Sequence, residues 1–212
     1  MPRYEQENAK MIRVTLANEV AFARVGAMVA FSGEVSFQRA FLAGGGVQAL
    51  AMRQVTNEAI KMMAAQGTGT IYYACDGLHV TIIPLHNDTL YVEGTSVLAF
   101  DTRLNAGTSF LGNGGVSAFV SGMATGQGLF TSTFAGTGEV AVLSDGKLIE
   151  LDVRADRPVF VDPQAYVGHR GQLTSNIHTD VSWKSLLGQT SGESYQLRFQ
   201  GAGTVFIQAS ER

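Results

Sequence analysis

The chain has 212 residues, of which 45 % are hydrophobic and 16 % are charged, and its formal net charge is −3. This acidic balance argues against a nucleic-acid partner, because a protein that binds the phosphate backbone needs a basic stripe. Globular domains usually contain about 25 % charged residues, so the low content predicts that much of the surface is hidden in a homo-oligomer.

The first ten residues are polar, and we expect them to form a flexible N-terminal arm (residues 1–10). They lack the apolar core of a signal peptide, and no apolar run approaches the roughly 18 residues of a transmembrane segment. Cys75 is the only cysteine, which excludes an intrachain disulfide and a thiolate metal cluster. These features predict a cytoplasmic protein in a reducing compartment.

A repeated motif runs through the remaining residues, 11–212, which we interpret as a single domain. FLAGGGVQAL at 41–50 matches FLGNGGVSAF at 110–119, and residues 27–31 match 96–100 and 165–169 at the same step of 69 positions. The chain therefore reads as three similar units, 11–77, 78–146 and 147–212. Units this small rarely bury enough surface alone, so we expect one shared core.

Each unit is predicted to have the same order of strands and turns. An opening strand (12–16, 78–82, 147–151) alternates polar and β-branched residues, and a polar turn follows at Asn18-Glu19, Asn87-Asp88 and Ala155-Asp156. A short strand (20–23, 90–93, 159–162), the repeated 27–31 segment and an alternating strand complete the unit. Asp76-Gly77 and Asp145-Gly146 predict hairpin turns, and Pro84 and Pro158 are placed at strand ends.

Four stretches resemble the altered inheritance of mitochondria protein 24 family, a TRAP-like group found in bacteria and fungal mitochondria. They are VGAMVAF at 25–31, GLF at 128–130 with GTG at 136–138, RPVFVD at 157–162 and GAGTVFIQ at 201–208. The match covers about residues 11–210. It departs from the family pattern before the alternating strands and in the connector 183–188, so a site built from those loops would be asymmetric.

The resemblance implies an all-β fold, an internally repeated antiparallel β-sandwich or double-stranded β-helix of the TRAP-like kind that associates through sheet edges. It implies no established activity, although the mitochondrial members are linked to inner-membrane organisation. TRAP itself binds tryptophan and RNA, which is an analogy at the level of fold and supports little about function.

Two glycine-rich loops form one candidate binding site, because successive backbone N–H groups in a glycine turn can bind an anion. The residues concerned are Gly45, Gly46, Gly114 and Gly115. The competing interpretation is a tight connection or a close approach of two subunits, which the freedom of glycine alone explains. The Gly-x-Gly pairs at 67–69, 136–138 and 201–203 lack the third glycine and the following helix of a dinucleotide site, and are predicted to be structural.

His169 and Arg170 form the other candidate. His169 stands where Phe31 and Phe100 stand in the other units, so we expect an inward or interface ring that replaces an aromatic one. The alternative is that the third unit is specialised for ligand binding, with Arg170 and His178 nearby. No histidine pair has the spacing of a zinc site, so neither a metal site nor a cofactor is predicted.

Catalytic motifs are not found in the sequence: Cys75 is interpreted as a core thiol, and Asp101 and Asp162 as turn caps. The leading hypothesis is a non-catalytic oligomeric β scaffold or binding protein with a protein or small-molecule partner. Two alternatives stay open. One is a metal-dependent enzyme on a cupin-like scaffold that uses His79 or His169; the other is an RNA or small-ligand binder by analogy with TRAP, which the acidic balance disfavours.

Overall fold

The structure, a computed structural model, describes residues 2–40, 61–111, 129–178 and 196–209. Within these ranges the chain forms strands and one 3₁₀ turn, Gly94–Ser96. The strands are β1 (Arg3–Asn8), β2 (Met11–Arg24), β3 (Met28–Ala40), β4 (Met62–Tyr73), β5 (His79–Glu93), β6 (Val97–Asp101), β7 (Asn105–Leu111), β8 (Leu129–Ser144), β9 (Ile149–Val153), β10 (Val159–Val161), β11 (Tyr166–His178) and β12 (Gln196–Ile207). The described residues contain no helix long and apolar enough to cross a membrane.

Antiparallel pairing joins the strands into one hydrogen-bonded sheet, which confirms the all-β prediction. The main path runs β10-β12-β11-β5-β8-β6-β2-β4-β3, while β1 pairs with β2, β7 with β8 and β9 with β12. Strand β4 lies between β2 and β3, strand β8 between β5 and β6, and strand β12 between β10 and β11. Strands β4, β8 and β12 therefore lie at the centres of three local groups of strands.

The polar turns predicted at Asn18 and Asn87 are single-residue bulges, which corrects the expectation of two separate strands at each place. Asn18 has φ 63° and Asn87 has φ 55°, and each lies at a register shift within one continuous strand, β2 or β5. Asparagine tolerates this left-handed conformation better than most residues. Only the third turn, near Ala155-Asp156, separates two strands, β9 and β10.

The Asp-Gly pairs were expected to close hairpins, and the structure corrects this. Asp76 and Gly77 do turn the chain with positive φ, 49° and 69°, but the flanking strands β4 and β5 pair with other strands. The strands on either side of Gly146, β8 and β9, also pair elsewhere. Pro84, expected at a strand end, lies within β5 opposite Glu139 of β8.

The N-terminal segment was expected to be a flexible arm, but residues 3–8 form β1 and pair with β2 from Arg3↔Thr15 to Asn8↔Met11. Tyr4 is 6 % exposed and belongs to the core. Burial against Ile12, Val14 and neighbouring apolar side chains explains why a segment that is polar in sequence is ordered.

Candidate functional site

Strand β6 joins the first local group of strands to the second by pairing with β2. The register is Ala21↔Asp101, Phe22↔Phe100 and Ala23↔Ala99. The Phe22 and Phe100 rings lie 5.2 Å apart in a tilted arrangement, and Phe100 is 1 % exposed. We call this three-residue ladder the first junction.

Strand β11 makes an equivalent contact with β5, which we call the second junction. Its register is Leu90↔Arg170, Tyr91↔His169 and Val92↔Gly168. Every position in it lies 69 residues after its counterpart in the first junction. The Tyr91 and His169 rings stack with centroids 4.5 Å apart and planes within 1°, so an aromatic pair again occupies the centre of the ladder.

His169 is buried within this junction, which confirms the expectation that its ring replaces an aromatic one. It is 5 % exposed, its Nδ1 lies 2.7 Å from the Tyr166 hydroxyl, and Phe199 packs beside it at 5.4 Å. Burial disfavours the charged imidazolium and lowers the pKa of His169 to about 4. The ring is therefore neutral at physiological pH.

Arg170 lies beside His169 with its guanidinium carbon 5.7 Å from the centre of the buried Phe206 ring. Its counterpart in the first junction is Asp101, which is fully buried. Asp101 forms an ion pair with Arg103 and accepts that residue's backbone N–H at 3.0 Å, so its predicted role as a turn cap is confirmed. Asp162 caps a turn in the same way, by accepting the Gln164 N–H at 2.8 Å.

The matching segment at the start of β3, 69 residues before that of β6, has no such partner in the part of the chain that the structure describes. Strand β3 pairs with β4 on one side and ends the path of the sheet on the other. Val29 is 55 % exposed and Phe31 is 47 % exposed, whereas their counterparts Leu98, Phe100 and Val167 are buried.

Strand β10 ends the path of the sheet at its other extreme. It pairs with β12 through Val159↔Phe199, Phe160↔Arg198 and Val161↔Leu197. Phe160 is 45 % exposed and touches the Arg198 guanidinium and the His178 ring. By the step of 69 residues, it occupies the position of Phe22 and Tyr91 in the two junctions.

The other four predicted site residues belong to the two glycine-rich loops. Gly45, Gly46, Gly114 and Gly115 lie outside the described residues, so ligand binding there stays a prediction, as it does for His169 and Arg170. Within the described ranges there is no group of three or more histidine, cysteine, aspartate or glutamate side chains that could hold a metal ion.

A polar groove of about 290 Å³ lies next to the second junction. It is lined by the β5 bulge and by β11, at Asn87, Asp88, Thr89, Tyr91, Gly171, Gln172 and Leu173. Tyr91 contributes to this lining and also stacks on His169, whereas His169 is not among the lining residues. The imidazole is thus a packing element behind the groove.

Sequence reasoning did not single out the exposed residues at the two sheet edges. Val29, Phe31 and Phe160 look like core residues because they match positions 69 residues apart that are buried or half-buried. In the sequence, the segment at 28–31 is the first of three matching segments and the segment at 159–161 is the last of its three, and the structure places both at the ends of the sheet path.

The fold and its edges place the chain among antiparallel all-β proteins. A crystal structure of protein SPYM3_0169 from Streptococcus pyogenes is similar, with a TM-score of 0.72 and 19 % sequence identity over 100 % of this chain and 94 % of that one. A search of curated proteins finds no sequence match.

Residues 3–210 match the sequence pattern of the family described as mitochondrial biogenesis AIM24. The chain therefore belongs to the AIM24 family, as its resemblance in sequence had indicated.

Proposed function

We propose that the protein is a non-catalytic β scaffold that self-associates through its sheet edges and presents a repeated surface to a binding partner. The observation that carries this proposal is the exposed edge strand β3, with Val29 and Phe31 about half exposed. Long apolar edge strands are usually protected by charge or by a covering element, because their unpaired backbone groups pair readily with another strand.

The proposal includes a three-unit organisation of the TRAP-like kind. Asn18 and Asn87 are bulged at positions 69 apart, and their backbone N–H groups donate to Thr68 and Thr137 at 3.1 and 3.0 Å. Three further shifts in register fall between Met28 and Ala30, Val97 and Ala99, and Tyr166 and Gly168. These coincidences in position support one supersecondary unit used three times in the described part of the chain.

The metal-dependent alternative is tested separately from the scaffold. Elemental analysis of the purified protein is expected to show less than stoichiometric zinc, iron, manganese or copper. A stoichiometric metal that is lost in a His79→Ala or His169→Ala variant would support the enzyme instead.

Size-exclusion chromatography coupled to light scattering, at micromolar protein concentration, tests whether the chain self-associates. We expect a mass above that of the 22.6 kDa chain, and a shift toward the single chain on dilution. A chain that stays monomeric at every concentration, in buffers of low and high salt, would contradict the proposed function.

A further inference from the structure

We infer that the two edges without a neighbouring strand among the described residues, those of β3 and β10, are complementary, so that the β10 edge of one copy pairs antiparallel with the β3 edge of a second copy of this chain. This inference rests on the proposed self-association and names its contact. The expected register is Val159↔Ser32, Phe160↔Phe31 and Val161↔Ala30. It is obtained from the two internal junctions by a further step of 69 positions.

The backbone of β3 already has the form that the junction strands use. In β6 the register against β8 shifts between Val97 and Ala99, and in β11 the register against β12 shifts between Tyr166 and Gly168. Strand β3 has the same shift against β4, between Met28 and Ala30. A bulge at this point bends the strand and changes its twist, so the free edge presents the geometry that β6 and β11 present to their partners.

The side chains at the two edges also match. Each internal junction centres on an aromatic pair, Phe22 with Phe100 and Tyr91 with His169. The residues left over at the two ends are Phe31 and Phe160, which are 47 % and 45 % exposed. Directly opposed aromatic residues on antiparallel strands stabilise the pair.

The charge and size of the side chains are compatible with this contact. The six residues of the expected ladder are uncharged, and Ala30 is a small residue at the position of Ala99 and Gly168. The neighbouring side chains Val25, Met28 and Val29 are exposed to between 36 % and 55 % and would add apolar area around the ladder. The proposed partner of β3 is a second copy of this chain, because β10 is a strand of the matching shape and register.

The contact joins different surfaces of the two copies, so it is head-to-tail rather than two-fold symmetric. This property gives a complementation experiment with two charge variants, Phe31→Asp and Phe160→Asp. Each variant loses one edge and keeps the other. We expect each alone to weaken self-association at least about a hundredfold, because an aspartate would be buried without a partner.

Mixing the two variants restores one intact pair of edges, β3 from Phe160→Asp and β10 from Phe31→Asp. We expect a 1:1 dimer that does not grow further, seen by native mass spectrometry with one variant isotopically labelled. The matched control is Ile149→Asp, which charges another exposed apolar residue, 42 % exposed on β9, outside the ladder. It should assemble as the unaltered chain does.

The outcomes separate this inference from the proposed function. Assembly that Phe31→Asp abolishes and Phe160→Asp leaves intact would show a contact of β3 with β3, which overturns the inference and keeps the scaffold. Assembly that survives both variants would overturn the inference and place self-association on another surface. A monomeric unaltered chain would overturn both proposals.

A disulfide tests the register itself in a Cys75→Ala background. Cysteines directly opposed on antiparallel strands have Cα atoms about 4.5–5.5 Å apart, within the range that a disulfide bridges. Phe31→Cys mixed with Phe160→Cys should therefore give a covalent dimer under mild oxidation. Equal yield from Phe31→Cys mixed with Ile149→Cys would overturn the register.

Discussion

The first junction, between β2 and β6, and the second, between β5 and β11, share a backbone register but differ in side-chain chemistry. The first pairs two phenylalanines, with rings 5.2 Å apart, and the second stacks tyrosine on histidine at 4.5 Å. The backbone ladder therefore fixes how neighbouring groups of strands join, and the central side chains need only be flat and able to pack. In the proposed contact between copies, Phe31 and Phe160 would form a third pair that satisfies the same rule.

The two junctions also differ in the path that the chain takes beyond them. After Asp101 the chain turns, with the Leu104 N–H donating to the Asp101 carbonyl at 3.1 Å, and it resumes as β7 at Asn105. After Arg170, β11 continues without interruption and leaves the polar groove beside Tyr91. The first junction is thus followed by a turn, and the second has a polar groove beside it.

The largest expected effect is at Phe100, a buried aromatic residue, and it is compared with the exposed Phe31 at the matching position. Phe100→Ala should lower the free energy of unfolding by about 4 kcal/mol, because the ring is 1 % exposed and packs on Phe22 and Phe134. Urea denaturation followed by circular dichroism measures the loss.

Phe31→Ala is the matched control for this measurement, made at a concentration low enough for the single chain to dominate. With its ring about half exposed and in edge contact with Phe37, it should change stability by about 1 kcal/mol or less. Comparable losses of stability in the two variants would mean that Phe31 is buried within a single chain. The contrast between the buried Phe100 and the exposed Phe31 would then be wrong.

The next largest effect is on the pH dependence of stability, and it involves the second junction alone. The pKa of His169 in the folded chain is about 4, below its ordinary value of 6.5, so the unfolded chain takes up the proton first as pH falls. The stability that the neutral ring provides is complete above about pH 6.5 and is lost progressively toward about pH 4, by roughly 3 kcal/mol.

His169→Phe, which copies the residue of the first junction, should remove this part of the pH dependence. It should also cost about 1–2 kcal/mol near neutral pH, because the buried Tyr166 hydroxyl loses its partner Nδ1. Denaturation curves at a series of pH values measure both effects, with the exposed His86→Gln variant as control. A slope that persists in His169→Phe would assign the pH dependence to other groups.

The sequence predicted the all-β class and the role of His169 as a replacement for an aromatic ring, because period-two alternation and the repeat are local signals. It did not predict that Asn18 and Asn87 are bulges within long strands, since a polar residue with positive φ is typical of turns as well. It also missed the partners of the strands beside Asp76-Gly77. Turn residues specify the local backbone, whereas pairing between distant strands depends on tertiary packing.

The edges show a second limit of sequence reasoning. VLAF at 97–100 and MVAF at 28–31 are nearly the same sequence, but the first is buried and the second exposed. The difference comes from position in the sheet, because β6 has β2 as a neighbour and β3 ends the path of the sheet. Composition predicted that surface is hidden in an oligomer, and the topology shows which strands lie at the ends of the sheet path.

The smallest expected effect tests whether the bulges that precede the junctions are equivalent. Asn18→Ala and Asn87→Ala should each cost about 1 kcal/mol, because alanine is strained at φ 63° and 55°, and the corresponding glycine variants should lie within a few tenths of the unaltered chain. Asp156→Ala is the control from the third unit, where a loop separates β9 from β10, and it should be neutral. Equal losses of stability in the two alanine variants, measured by urea denaturation, would support one structural unit used repeatedly. A loss in only one variant would show that the two bulges have different structural roles despite their common register.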